Sequence, residues 1–265
     1  MEAHRCARTA GMTFLETSYV YAGGATMRFL ADFIGTVPRE SLFITVKIEQ
    51  PVRDKADVGR QLDAYLRELS IDHADALLLH TPSASAIPLL ETYGSIAEQV
   101  EVGKVRYISA SNLGITDPLQ ILCRHHQLFS LEGLCHLECK MHEDVGLLDF
   151  CAAEGIIFVA YMPLRLDYTA KRNYPLLLEL SDEDACAQNQ VILSWIIHGK
   201  GFVPIVKAGS VAHVRENIKA LDLELEQDHP DQLNRFRNAE FDDIAIDWSD
   251  SGHGVPIYRV ASKFS

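Results

Sequence analysis

The sequence predicts an α/β protein, a barrel of parallel strands wrapped in helices, and three features carry that expectation. Short apolar runs alternate with amphipathic stretches along nearly the whole chain. The runs are too rich in Ile, Leu and Val for strands with one face in water, so they read as parallel strands buried on both faces. No Gly/Ser linker or low-complexity stretch breaks the alternation, so residues 1–265 are expected to form one domain. Strand and helix in succession give right-handed parallel units in a single sheet.

The strand candidates are residues 13–17 (TFLET), 42–48 (LFITVKI), 74–80 (ADALLLH), 105–111 (VRYISAS), 131–139 (LEGLCHLEC), 155–161 (GIIFVAY) and 201–207 (GFVPIVK). Helical periodicity fills the gaps. Val58, Leu62, Leu66 and Leu69 fall on one stripe, with Asp57, Arg60, Asp63 and Arg67 away from it. Pro88 begins a helix that runs through Ile96, Val100 and Val102 until Gly103 stops it. Asp117-Pro118 opens the next, and Ser181-x-x-Asp184 marks a helix start ahead of residues 191–197. About seven strands are visible, where a closed (β/α)8 TIM-type barrel has eight. The tail after about Asp228 is polar, and residues 247–256 read as a loop.

Composition narrows the partners. The formal net charge of −13 argues against nucleic acid or an anionic membrane, since both reward concentrated Lys and Arg. No apolar run approaches the roughly 20 residues that span a bilayer, and the N-terminus lacks the apolar core of a signal peptide. Six cysteines without framework spacing suit free thiols in a reducing, cytoplasmic setting. Cys135-His136-x-x-Cys139-x-x-His142 has the residue types of a zinc site. Read as a buried strand, however, it points Cys135 and Cys139 to one face and His136 to the other, so no metal is expected.

In such a barrel the chemistry lies where strands end, at the C-terminal rim. The first run exits through Glu16 to Tyr21, the second ends on Lys47 and the third on His80. The fourth ends on Ser111-Asn112, the sixth on Tyr161 and the seventh on Lys207. Each residue alone has a structural explanation: a snorkelled lysine, a packed tyrosine, a hydrogen-bonded histidine. Together, a carboxylate, a phenol, an ammonium and an imidazole on successive strand ends make a proton-transfer site. Lys47 beside Tyr21 is expected to favour the phenolate and lower the tyrosine pKa. Glu16 is expected to hold Lys47 by an ion pair, and His80 to orient a substrate oxygen.

These segments resemble the aldo-keto reductase family. Residues 14–21 (FLETSYVY) are similar to its strand-end motif of an acid followed five residues later by the catalytic tyrosine. LFITVK ending on Lys47 resembles the lysine strand, and LLLHTP around His80 the histidine strand. GKVRYISASN is similar to the strand ending in Ser-Asn, AYMPL to the segment whose tyrosine stacks on nicotinamide, and VPIVK with Glu216-Asn217 to the adenosine-phosphate end. The resemblance implies hydride transfer from NADPH to the carbonyl of a small-molecule aldehyde or ketone, Tyr21 donating the proton, without a metal. It implies a cofactor held by Ser111, Asn112, Tyr161, Lys207, Glu216 and Asn217. His136 stands where the family has a glutamine and His213 where it has an arginine. Glu16 replaces an aspartate, and Met162 and Ala208 replace serines, losses that weaken or remove cofactor contacts. The chain starts partway into the helix before the Glu16 strand, which implies that the first barrel strand is missing. The exposed edge is then to be covered by a loop, the tail or the second copy of a homodimer. The small loop after His80 (residues 81–87) and the Trp248 region suggest an open mouth for a bulky substrate. The alternative reading is a non-redox isomerase, dehydratase or cyclase of small-molecule, secondary-metabolite biosynthesis, which keeps the acid–base groups on the same barrel. A non-catalytic subunit is disfavoured, because it makes no demand on Tyr21, Lys47 and His80.

Overall fold

Seven strands form one parallel sheet, each bonded to its neighbour in the chain: β1 (Phe14–Thr17), β2 (Phe43–Ile48), β3 (Ala74–Leu79), β4 (Val105–Ser111), β5 (Leu128–Leu134), β6 (Ile157–Tyr161) and β7 (Val203–Ile205). The structure is a computed structural model and describes residues 1–48, 52–80, 87–114, 117–226, 228–238, 246–247 and 257–258. β3 is buried at every position, its apolar residues covered on both faces and its one charge, Asp75, paired with arginines. The sheet curls into an open barrel, and among the described residues no strand pairs with the outer edge of β1 or β7. On that side helix α1 (Glu2–Thr9) packs against α11 (Val211–Lys219). Between them lies a cavity of about 120 Å³ lined by residues that include His4, Leu15, Val206 and Asn217.

The crossover helices bury the stripes that the sequence marks. In α3 (Lys55–Leu69), Val58, Leu62, Leu66 and Leu69 are buried together with Tyr65. α4 runs from Leu89 to Glu101 behind Pro88, and α5 from Asp117 to His125. Two helix boundaries differ from expectation. Ser181 lies inside α9 (Pro175–Glu183), whose start is set by Pro175 in its first turn. The following α10 (Gln188–Ser194) begins at Gln188, where the Gln190 side chain accepts from the Ala187 N–H at 2.8 Å. The polar tail holds a further helix, α12 (His229–Arg235). The His229 imidazole joins it to Asp184 at 3.1 Å and Glu183 at 3.0 Å. Ile246–Asp247 pairs antiparallel with Ile257–Tyr258, while residues 248–256 and the loop 81–86 lie outside the described residues, and with them the expected open mouth.

The fifth strand is the main correction. β5 ends at Leu134, and residues 135–139 form a turn closed by an antiparallel bridge between His136 and Cys139. A short helix, α6 (Met141–Asp144), follows. Cys135, Leu137, Cys139 and Met141 are buried without being strand, so apolar content there reports burial rather than pairing. The strand-face argument over the Cys/His segment therefore does not apply. All six cysteines are free, and among the described residues no group of three or more His, Cys, Asp or Glu side chains could hold a metal.

The N-terminal mouth of the barrel is filled by stacked rings. Phe14 stacks on Phe43 at 5.4 Å, Phe43 on Phe129 at 5.2 Å, and Tyr107 on Phe129 at 4.5 Å. Phe129 takes part because the β4–β5 register skips it: Ile108 pairs with Leu128 and Ser109 with Ser130, a bulge of one residue. Beside the rings, buried Asp75 accepts from Arg39 at 2.7 Å, Arg106 at 2.8 Å and the Ile44 N–H at 2.8 Å. This end is structural, and the other is left for chemistry.

Candidate active site

At the C-terminal ends of the strands the side chains turned into the barrel become polar. Pairing keeps Ser109 beside Ser130 and Ser111 beside Glu132, so these four line one interior patch. Lys47 enters from β2 and Glu16 from β1. The Lys47 Nζ lies 2.6 Å from Glu16 Oε1 and 2.6 Å from Glu132 Oε2. Side-chain exposures of 3%, 6% and 1% for Lys47, Glu16 and Glu132 put the cluster out of reach of bulk water. Glu132 is the residue that sequence reasoning missed. The available signal is a lone carboxylate near the end of a largely apolar strand; a run counted from Leu131 puts Glu132 at the strand's start, away from the C-terminal rim.

Tyr21 follows β1 at the start of a short 3₁₀ turn (Tyr21–Gly24). Its N–H donates to the Ser18 carbonyl at 3.1 Å, and its carbonyl accepts from the Thr26 hydroxyl at 3.3 Å. Ala22, Gly23 and Gly24 then all take positive φ, at 49°, 59° and 84°. Ala22 pays a steric cost of about 1–2 kcal/mol in that region, so the turn that aims Tyr21 is held by its surroundings. The Tyr21 hydroxyl donates to Glu16 Oε1 at 3.3 Å, and the Lys47 Nζ lies 5.8 Å from the ring centre. The His80 ring meets the Tyr21 ring edge-on at 5.7 Å, with Nδ1 3.5 Å from the Ser18 hydroxyl. The four expected residues thus form one site, with Glu132 as a fifth.

The expected pull of Lys47 on Tyr21 is present but outweighed. Burial pushes the Tyr21 phenol up to about 12; Lys47 pulls it down, but Glu16 adds to the upward push. The phenol keeps its proton because burial, with Glu16 and Glu132 behind it, outweighs the pull of Lys47. Burial alone would lower the Lys47 ammonium, yet Glu16 and Glu132 outweigh it and hold it above the usual lysine range. Burial raises the Glu132 carboxyl well above the usual range, and the neighbouring Glu16 charge raises it further.

Along the rim, Asn112 takes φ 57° at the end of β4. Its Nδ2 donates to the His80 carbonyl at 3.0 Å and to the Ser111 hydroxyl at 3.1 Å, and its Oδ1 accepts from the Tyr161 hydroxyl at 2.7 Å. Ser111, Asn112 and Tyr161 therefore form one connected patch beside His80. Lys207 and His213 are exposed, and Ser210 caps α11 by accepting from the His213 N–H at 3.2 Å. The Glu216 carbonyl accepts from Gln190 at 2.9 Å, and Asn217 is 9% exposed. His136 is buried, its Nδ1 3.7 Å from Glu138 Oε2, and burial pushes it down to about 3. Glu138 also accepts from Thr169 at 2.8 Å and Tyr174 at 2.6 Å and pairs with Arg165, which gathers the loops behind β5 and β6.

An acid–base cluster at the C-terminal mouth of a parallel α/β barrel defines a barrel enzyme. Residues 1–238 match the model of the Aldo/keto reductase family, and the chain belongs to that family of oxidoreductases. It is 29% identical to methylglyoxal reductase YeaE of Escherichia coli (strain K12) over 243 residues, covering 89% of this chain and 84% of that protein. It is 23% identical to glycerol 2-dehydrogenase (NADP(+)) of Saccharomyces cerevisiae over 250 residues, 82% of this chain and 79% of that one. Among solved structures it is similar to the thermostable aldo-keto reductase Tm1743, with TM-score 0.79 and 32% identity over 87% of this chain and 85% of that one. An aldo-keto reductase from Klebsiella pneumoniae in complex with NADPH has TM-score 0.79 and 29% identity, over 88% of this chain and 83% of that one.

Proposed function

We propose that the protein reduces the carbonyl of a small-molecule aldehyde or ketone to an alcohol, using NADP(H), with Tyr21 as the general acid. The observation that carries the reading is the placement of a protonated Tyr21 hydroxyl 3.3 Å from Glu16, in a site whose lysine is buried and doubly paired. No observation favours the non-redox alternative. The residues fit the cofactor. Among the described residues no ion pair joins Lys207 to a carboxylate, although the chain carries a net charge of −13, and in the sequence it precedes α11, whose first turn holds His213. A free cation beside helix-end N–H groups suits a phosphate. Ser111 and Asn112 offer a hydroxyl and an amide for a carboxamide, Tyr161 a ring anchored through its hydroxyl, and Glu216 and Asn217 polar groups for the adenosine end. When bound, the reduced cofactor supplies a hydride to the carbonyl carbon. Tyr21 gives its phenolic proton to the carbonyl oxygen, His80 orients that oxygen, and Lys47 with Glu16 fixes the phenol.

We further read residues 1–265 as one domain, working in the cytoplasm on the strength of its six free thiols. The test is a titration of the full chain with NADPH, followed by tryptophan fluorescence, and turnover with a panel of aldehydes and ketones. Tyr21→Phe should lower kcat by about 10²- to 10⁴-fold with cofactor binding unchanged. Absence of saturation at millimolar NADPH would sink the reading.

A further inference from the structure

Glu132 gives the site more acid than an ion pair needs. One ammonium faces two carboxyl groups, Lys47 Nζ being 2.6 Å from each, with all three side chains at 6% exposure or less. The two accepting oxygens are therefore within about 5 Å of each other, a separation at which two ionised carboxylates do not readily coexist out of water. Each glutamate also keeps one buried oxygen without a partner, Oε2 of Glu16 and Oε1 of Glu132. Buried polar atoms without partners are rare in folded proteins. A single proton held between the two carboxyls removes the excess negative charge and gives these oxygens a reason to be there. Among the described residues, the other ionisable groups near Glu132 offer no second cation. They are Tyr21 and the Tyr93 phenol of α4, itself fully buried, with His80 beyond Tyr21.

Building on the reductase reading above, we propose that Glu132 is a positioning residue that holds one proton in common with Glu16 over Lys47, and that this proton lets Tyr21 act as an acid. In the reductive step the Tyr21 O–H bond breaks as the carbonyl oxygen takes the proton. The phenolate left behind takes the shared proton through Glu16 Oε1, which already accepts its hydrogen bond. Once the alcohol has left, the two carboxylates against Lys47 recover a proton from solvent through Tyr21, which is only half-buried and bonds to Glu16. With the shared proton absent at the outset, Tyr21 would have to ionise beside a net negative cluster and keeps its own proton. The alkaline limit of reduction therefore belongs to the glutamate pair and not to the phenol.

The experiment is a pH titration of the full chain by infrared difference spectroscopy, for the C=O stretch of a protonated carboxyl that shifts in heavy water. Ultraviolet absorbance follows tyrosinate, and Tyr21→Phe identifies the Tyr21 step. The wild-type protein should show the carboxyl band at neutral pH and lose it before Tyr21 ionises, and its kcat for carbonyl reduction with NADPH should fall with the same midpoint as the band. Glu132→Gln should lack the band, ionise Tyr21 at least tenfold lower in hydroxide concentration, and move the alkaline limb of kcat onto that tyrosinate midpoint. Absence of the band in the wild type at neutral pH, or its persistence in Glu132→Gln, overturns the proposal. If the variant fails to fold, the wild-type comparison alone decides: a kcat midpoint that departs from the band's midpoint overturns it. A protein that shows the band and the tyrosinate shift but reduces no carbonyl upholds the shared proton and fails the reductase reading.

Discussion

Lys47 stays charged because two acids hold it, and the second of those acids carries a stability cost that depends on pH. The Glu132 carboxyl is raised above its ordinary value of 4.5, first by burial and then by Glu16. Above pH 4.5 the unfolded chain gives up this proton while the native chain keeps it. The stability linked to the group is whole below that pH and is lost as the pH climbs through the folded-state value. Glu132→Gln removes this dependence while keeping an oxygen for Lys47. Urea midpoints of parent and variant should therefore draw together near about pH 5 and separate in the variant's favour toward about pH 9. A gap that stays constant across that range would show that Glu132 is ionised in the native protein. Lys47→Met is the opposite case. It leaves Glu16 and Glu132 without a cation, and a loss of about 3–5 kcal/mol is expected at neutral pH, shrinking in acid.

β3 and β5 show which parts of the molecule were legible in the chain and which were not. Six of the seven strands fall inside runs marked by apolar content, because a parallel strand covered on both faces admits few polar residues. Lys47 and His80 were visible because they lie at the ends of such runs, as does Glu16, and Tyr21 because it follows one. Glu132 was hidden, since β5 starts at Leu128 and the apolar residues after Leu134 belong to a buried turn. Gly133 was the neglected clue. A Cβ there would lie 2.6 Å from Phe158 Cζ and 2.8 Å from His142 Nε2, so a strand residue, not a turn, demands the glycine. Gly133→Ala should cost about 1–3 kcal/mol through overpacking. At the opposite mouth, Asp75→Asn removes the charge that Arg39 and Arg106 share with the start of β2. It should lower stability by about 2–4 kcal/mol while kcat changes less than about twofold. A large fall in kcat at unchanged thermal midpoint would mean that this end of the barrel is not merely structural.

The barrel is held unevenly, because among the described residues its first and last strands do not meet, which leaves two rows of backbone groups without strand partners. β3 and β4 have a strand on each side, whereas β1 and β7 have one, and on the open side α1 and α11 supply side chains rather than a ladder. Local opening follows the loss of such bonds. Amides of Phe14–Thr17, Val203 and Ile205 should therefore exchange with solvent at least about tenfold faster than those of Ala74–Leu79. Unpaired edges also template association, so we propose that a second copy covers them as a homodimer. Two measurements on one sample separate the possibilities. Sedimentation gives the mass, and exchange at low and high protein concentration shows whether β1 and β7 gain protection as the mass doubles. A monomer at every concentration would defeat the dimer, and a dimer without added protection at these strands would place the contact on another face. The outcome bears on the site directly, since Glu16 lies on β1 and any motion of that edge is passed to the ion pair with Lys47 and to the Tyr21 hydroxyl.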